Sequence, residues 1–211
     1  MLTTGFEQVV RSAAELRAIV GEPTERAVKK QIDRLDEHCR SIIAASPFML
    51  LGTASAAGWC DVSPKGDAPG FVRVLDERRL AIPDRPGNKR LDSLRNIVQN
   101  PRVGLLFVVP GKGETLRVNG RATIVRDEPL LASLAFEGKR PLLAIVVEVE
   151  EAFAHCSKAF IRSHLWQPES WPDSSDLPSI ARMVMDHARP TDMTLDQLEA
   201  ATAEAYRTNL Y

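Results

Sequence analysis

Three cations, Arg85, Lys89 and Arg90, crowd a short stretch that also carries Pro86, Gly87 and Asn88. Guanidinium and ammonium groups held this close suit an anion, a phosphate above all, because charge-assisted hydrogen bonds to it are strong. Asn88 is placed to cap a helix whose apolar face carries Leu91, Leu94, Ile97 and Val98 at the i, i+3, i+4 period. The free N–H groups and positive dipole end of such a helix favour the same ligand. A solvated basic turn is the competing reading, with Asp84 and Asp92 taking part of the charge.

The flanking elements must deliver this stretch. Residues 71–75 alternate as a strand, 76–78 turn, and 79–83 return, which together make a β-hairpin. Pro83, Pro86 and Gly87 break the sheet, Asn100-Pro101 ends the helix, and residues 103–109 form a strand apolar on both faces. Residues 48–54 and 59–63 read as a strand pair, followed by a breaker-rich loop over 63–70 with one charge pair, Lys65 and Asp67. Residues 114–126 are a long strand, bulged or bent near Asn119-Gly120, and 142–153 a buried one. Helices are expected over 6–20, from Pro23-Thr24 through Val28, Ile32, Leu35 and Ile43, over 130–137, from Ser157, and over 178–187 and 194–209. At least six strands on mostly short connections favour an antiparallel barrel over a parallel sheet.

Composition narrows the function. The chain has 211 residues and a formal net charge of −1 from 27 basic and 28 acidic side chains, so no global field draws it to nucleic acid or an anionic membrane. Arg73, Arg117 and Arg121 could track a single strand, but seven Phe, three Trp and two Tyr supply too few stacking platforms. No apolar run has spanning length and residues 1–10 do not read as a signal peptide, so the expectation is a cytoplasmic protein without membrane contact. Cys39, Cys60 and Cys156 are scattered, with neither disulfide nor zinc spacing. No Gly-rich nucleotide loop and no nucleophile elbow occurs, and His38, His155, His164 and His187 have no partner pattern. His155 and Cys156 are adjacent, so on a strand they would face opposite sides. Glu148, Glu150 and Glu151 suit a solvent face better than a glycosidase pair. A reaction here would need a cofactor, and the catalytic residues stay unknown.

The stretch FVRVLDERRLAIPDRPGNKRLDSLRNIVQNPRVGLLF, followed by GETLRVNGRATIVRD, resembles the FMN-binding split-barrel superfamily related to pyridoxamine 5′-phosphate oxidase. The nearest likeness is a bacterial subgroup marked by DRPGN-x-RLDSLRNI and a later HC-x-KA-x-IRS-x-LW segment. It spans residues 48–171. The resemblance implies a mainly β, α+β fold, a split antiparallel β-barrel of about six strands. Residues 1–45 would be an N-terminal helical extension, 46–171 the barrel, and 172–211 helices packed on it.

It further implies a homodimer with FMN at the subunit interface and a small-molecule substrate, a nicotinamide nucleotide being one option. Val72, Arg73 and Val74 would line the isoalloxazine ring, with Ile82, Pro83 and Asp84 on the paired strand. Arg85, Asn88, Lys89 and Arg90 would take the phosphate. Glu114, Thr115 and Arg117 would reach the flavin from the partner subunit, and Lys158, Arg162, Ser163 and Trp166 would close the site. The chain departs from the vitamin B6 enzyme at its end, where helices replace a strand with an Arg-x-His motif. Pyridoxamine phosphate is therefore not carried over as substrate. Two functions stay open: an FMN-dependent oxidoreductase, and a non-catalytic protein that binds flavin or another phosphate ligand.

Overall fold

Alternating burial lays out the sheet in this computed structural model, which describes residues 5–211; the first four residues of the expected extension lie outside it. The strands are β1 (Phe48–Ala54), β2 (Cys60–Gly66), β3 (Arg73–Val74), β4 (Arg79–Pro83), β5 (Arg102–Val108), β6 (Thr115–Val125) and β7 (Ala144–His155). They form one seven-stranded sheet in the order β2-β1-β5-β6-β7-β4-β3, antiparallel throughout, and its two edges do not pair. This is an α+β, antiparallel fold of the split-barrel kind, with seven strands where about six were expected.

One face of the sheet rolls around Met49, Leu51, Leu80, Ile82, Leu105, Phe107, Leu116, Val118, Ile145 and Val147, all essentially inaccessible to solvent. Each such side chain contributes roughly 1.5–3 kcal/mol by leaving water. The helix α3 (Glu37–Ala45), capped by Asp36 on the Cys39 N–H at 2.8 Å, closes this core with Cys39 and Ile43. The helix α4 (Asp92–Gln99) adds Leu94 and Ile97. On the outer face α5 (Glu128–Ser133), with Pro129 in its first turn, packs Leu131 against Ala81 and Ala144.

Several boundaries differ from the sequence reading. The first expected helix is confined to α1 (Ala13–Val20), where the Ser12 hydroxyl accepts from Glu15 N–H at 3.1 Å. The second splits into α2 (Glu25–Lys29) and α3, because Ile32 leaves helical geometry to bridge with Ala152 and Asp36 starts a new cap. Strand β2 extends through Gly66 into the expected loop, paired with β1 along its length. Helix α6 (Lys158–Ser163) has no side-chain cap from Ser157. Helices α7 (Ile180–Ala188) and α8 (Leu195–Thr208) pack on each other, the latter opened by a Thr194–Gln197 capping box. Among the described residues no helix is long and apolar enough to cross a membrane.

The β6–β7 ribbon carries the expected irregularity. Asn119 pairs with Glu151 and Gly120 with Val149, so Glu150 is extra and is met by Arg102 instead. A Cβ at position 120 would collide with the Glu148 carbonyl oxygen, a backbone atom that cannot swing away. Gly120→Ala should therefore cost about 3 kcal/mol of unfolding free energy through backbone displacement. An unchanged urea midpoint would show that the ribbon absorbs the methyl group.

Candidate functional site

Strand β2 stands at one edge of the sheet and β4 beside the other, yet residues from both line a single cleft of about 470 Å³. That size falls within the usual range for small-molecule and cofactor sites. Asp61 to Lys65 come from β2, Asp84 to Lys89 follow β4, Leu91 to Leu94 open α4, and Lys139 to Leu143 lead into β7. The cleft is the gap left where the rolled sheet fails to close.

A buried ion pair stitches that gap. Arg85, just past β4, donates from Nε to Oδ2 of Asp67, just past β2, at 2.7 Å. The guanidinium side chain is 15% exposed and the carboxylate 1%. Nη2 of Arg85 also donates to the Leu134 carbonyl at 3.2 Å, which leaves Nη1 for a ligand. Asp67 pairs across the split with Arg85, whereas Lys65, its neighbour in sequence, donates to the Ser63 hydroxyl at 3.0 Å.

The helix at the cleft starts later than its sequence pattern suggests. Asn88 is not its N-cap; its side-chain oxygen accepts from the Arg90 N–H at 3.0 Å and holds a turn. Lys89 and Leu91 both take the left-handed region, at φ 61° and 60°, and α4 begins at Asp92. Non-glycine residues pay for that conformation, and such strain gathers at ligand sites. Leu91 occupies the cap position without a side-chain hydrogen bond, so the first-turn N–H groups have no side-chain cap. Leu91 and Val98 are exposed, and Ser93, Leu94 and Ile97 form the buried face.

The lining holds five cations, Lys65, Arg85, Lys89, Lys139 and Arg140, against three carboxylates, Asp61, Asp84 and Asp92; two of the cations are ion-paired to carboxylates outside the lining, Arg85 to Asp67 and Arg140 to Glu128, each at 2.7 Å. Lys89 makes no ion pair among the described residues. Arg90 is not among the lining residues and pairs with Asp92, Nε to Oδ2 at 2.9 Å, and this bond holds the Asp92 carboxyl below its usual range. Burial pushes the Asp84 carboxyl up, and Lys65 offsets the shift only in part. The chemistry of this donor set fits a phosphate ester: ammonium groups, one free guanidinium nitrogen and an uncapped helix start.

The other expected residues lie elsewhere. Val72, Ile82 and Pro83 are buried, Val74 packs against the core, and Arg73 donates to the Ser133 carbonyl at 2.7 Å. Thr115 is buried at the far end of the ribbon, opposite His155, while Ile82 pairs with Ile145 near the start of β7. Ten residues of strand separate those two levels, on the order of 30 Å of chain. At the far end Glu114 pairs with Lys112 at 3.3 Å, and the Arg117 guanidinium lies 5.4 Å from the Phe153 ring centroid. Trp166 stacks on Phe160 at 5.6 Å and donates to the Lys112 carbonyl at 2.9 Å. Ser163 bonds Phe160 within α6, and Lys158 and Arg162 are exposed. Lys65, Lys139, Arg140 and Tyr211 were not anticipated as cleft residues; only the Lys65–Asp67 charge pair gave a signal.

An open antiparallel split barrel with a cleft at its split, lined by lysine and arginine side chains, defines the class. Residues 35–156 match the pyridoxamine 5′-phosphate oxidase family, and the chain belongs to it. No curated protein matches the chain. Among solved structures, HupZ from Group A Streptococcus is 20% identical over 58% of this chain and 94% of its own, with a TM-score of 0.48. A putative pyridoxamine 5′-phosphate oxidase from Lactobacillus delbrueckii is 23% identical, covering 58% and 95%, with a TM-score of 0.45. An FMN-binding protein from Syntrophomonas wolfei is 12% identical, covering 55% and 82%, with a TM-score of 0.43.

Two stability measurements test the electrostatics. Asp67→Asn strips the counter-charge from a largely buried guanidinium and should cost about 3 kcal/mol in urea unfolding, as broken buried pairs do. A loss below about 1 kcal/mol would mean that water already serves Arg85. Because the folded state raises the Asp84 pKa, the stability tied to its neutral form is present at acid pH and lost as pH rises through the folded value. Asp84→Asn should thus be more stable than wild type at pH 7, with no gain near about pH 3, below the ordinary carboxylate range. Equal gains at both pH values would rule out Asp84 ionisation as the cause.

Proposed function

We propose that the cleft holds the phosphate of FMN and that the protein is a flavin-dependent oxidoreductase acting on a small molecule. The observation that carries this is the excess of cations beside an uncapped helix start, in a cleft of cofactor size, in a chain of this family. Lys65, Lys89, Lys139 and the free nitrogen of Arg85 would hold the phosphate. Bound there, FMN would supply the hydride chemistry for which the side chains have no group of their own. Leu142 and Leu143 give the lining an apolar portion suited to a ring system.

The two groups of site residues sit at opposite ends of β7, so one chain does not bring both to one flavin. A homodimer in which each subunit offers its cleft to the other's Glu114–Arg117 end would unite them, and we propose that assembly. Exposed Cys60 and Cys156 are free thiols, which suits a reducing cytoplasm. A non-catalytic flavin or phosphate-ligand binder is the second reading. It is favoured by a cleft lining without histidine or cysteine, where Asp84 is the one carboxyl shifted upward. Steady-state oxidation of a reduced nicotinamide nucleotide by the purified protein decides between the two.

The visible spectrum of protein purified without added cofactor should show a flavin that heat releases as FMN. Lys65→Ala combined with Lys89→Ala removes two charge-assisted contacts of about 1.5–3 kcal/mol each, so FMN affinity should fall by roughly 100-fold or more. These side chains test the site more cleanly than Arg85, whose removal would also open the split. FMN affinity unchanged in the double variant would displace the phosphate from this cleft.

A further inference from the structure

One wall of the cleft comes from far along the chain. Tyr211, beyond α8, donates its phenol hydrogen to Oδ1 of Asp67 at 2.8 Å. Its ring lies 5.5 Å from the Arg85 guanidinium and stacks on Phe136 at 4.8 Å between centroids. Its main-chain oxygen accepts from Lys139 Nζ at 3.2 Å. A single residue thus touches two cations of the cleft and the carboxylate that fixes one of them. The cleft has its volume of about 470 Å³ with the ring in place, so the ring is a wall and not a plug.

The geometry points to Tyr211 as a positioning residue for phosphate recognition, its side chain acting through Arg85. Long cationic side chains lose rotamer freedom when they grip a ligand, and a site that has already ordered them binds more tightly. Asp67 takes Nε of Arg85 and the Leu134 carbonyl takes Nη2, and the Tyr211 ring packs on the guanidinium so held. Lys139 is held by the main-chain oxygen of the same residue. The assignment rests on the flavin-phosphate reading of the cleft and adds the segment after α8 to that site. It also sets what Tyr211 discriminates: the phosphate, not the ring system.

FMN and riboflavin, which differ by the phosphate, separate this role from simple packing. Dissociation constants for both are measured by flavin fluorescence quenching on wild type, Tyr211→Ala and Tyr211→Phe. Tyr211→Ala should weaken FMN by about tenfold, the scale of one charged hydrogen bond, and leave riboflavin within about twofold. Tyr211→Phe keeps both ring contacts and should show a smaller loss, again confined to FMN. Should the alanine variant fail to fold, the phenylalanine variant carries the test alone, and equal affinity to wild type for FMN overturns the assignment. Parallel losses for both flavins would make Tyr211 a packing residue and overturn it too. Wild-type protein that binds neither flavin would overturn the flavin reading, and this assignment with it.

Discussion

A guanidinium taken out of water must find its counter-charge, and here that requirement joins the ends of two strands that the sheet does not pair with each other. Arg85 follows β4 and Asp67 follows β2, at opposite sides of the strand order. Backbone hydrogen bonding cannot span the split, because neither edge strand offers its ladder to the other. The ion pair does so with one bond, and the cost of burying both charges is offset by additional bonds: Asp67 also accepts from the Ala68 N–H at 2.7 Å and from the Tyr211 phenol. A buried pair of this kind adds little net stability over an apolar contact but fixes geometry, since either partner alone would be costly. The split therefore stays open as a cleft of defined width.

The β6–β7 ribbon sets the other dimension of the site. Its strands are 11 and 12 residues long, and each is also paired to a shorter neighbour, β5 or β4. Its length places the Arg85 cleft and the Arg117–Phe153 face at different levels of the molecule. The bulge at Gly120 increases the local twist. Lys30 and Arg117 lie 5.5 and 5.4 Å from the Phe153 centroid, and after burial their charges are what depress the His155 pKa. The far end is thus also positive. A flavin interface between two copies would join one cationic cleft to another cationic face, which suits a ligand that carries net negative charge.

Much of this was legible because it is local. The hairpin over 73–83 follows from alternation and a charged turn, and the 115–125 strand with its irregularity follows from β-branched residues around Asn119-Gly120. Of the three cations read from the sequence, Arg85 and Lys89 line the cleft, but the register of the helix beside them was not legible. Asn88 has the chemistry of an N-cap, and no local rule says that Lys89 and Leu91 will take left-handed backbone and postpone the helix to Asp92. Arg90 shows the same limit, because cation density in sequence does not tell which charge a nearby carboxylate claims. Lys139, Arg140 and Tyr211 were invisible for a different reason. They reach the cleft only through tertiary folding, and Tyr211 lies 144 positions from the carboxylate it contacts.

Net charge and the charge of one cleft are separate quantities. The chain as a whole carries −1, which gives no global field toward nucleic acid or an anionic membrane. Screening limits exposed charges to about 8 Å at physiological ionic strength, so the bulk total says little about one cleft. What a phosphate would meet is the local set, five cations and three carboxylates, of which Asp92 is bound to Arg90 and Asp84 resists ionisation through burial. Asp61 in turn accepts from the Ser93 hydroxyl at 2.8 Å, which fixes its carboxylate toward α4. Each negative group in the lining is thus either engaged by a donor or penalised for ionising, while Lys89 is left without an ion pair. An anion selected here is selected by that asymmetry, and a balanced chain can hold one without any excess of positive charge.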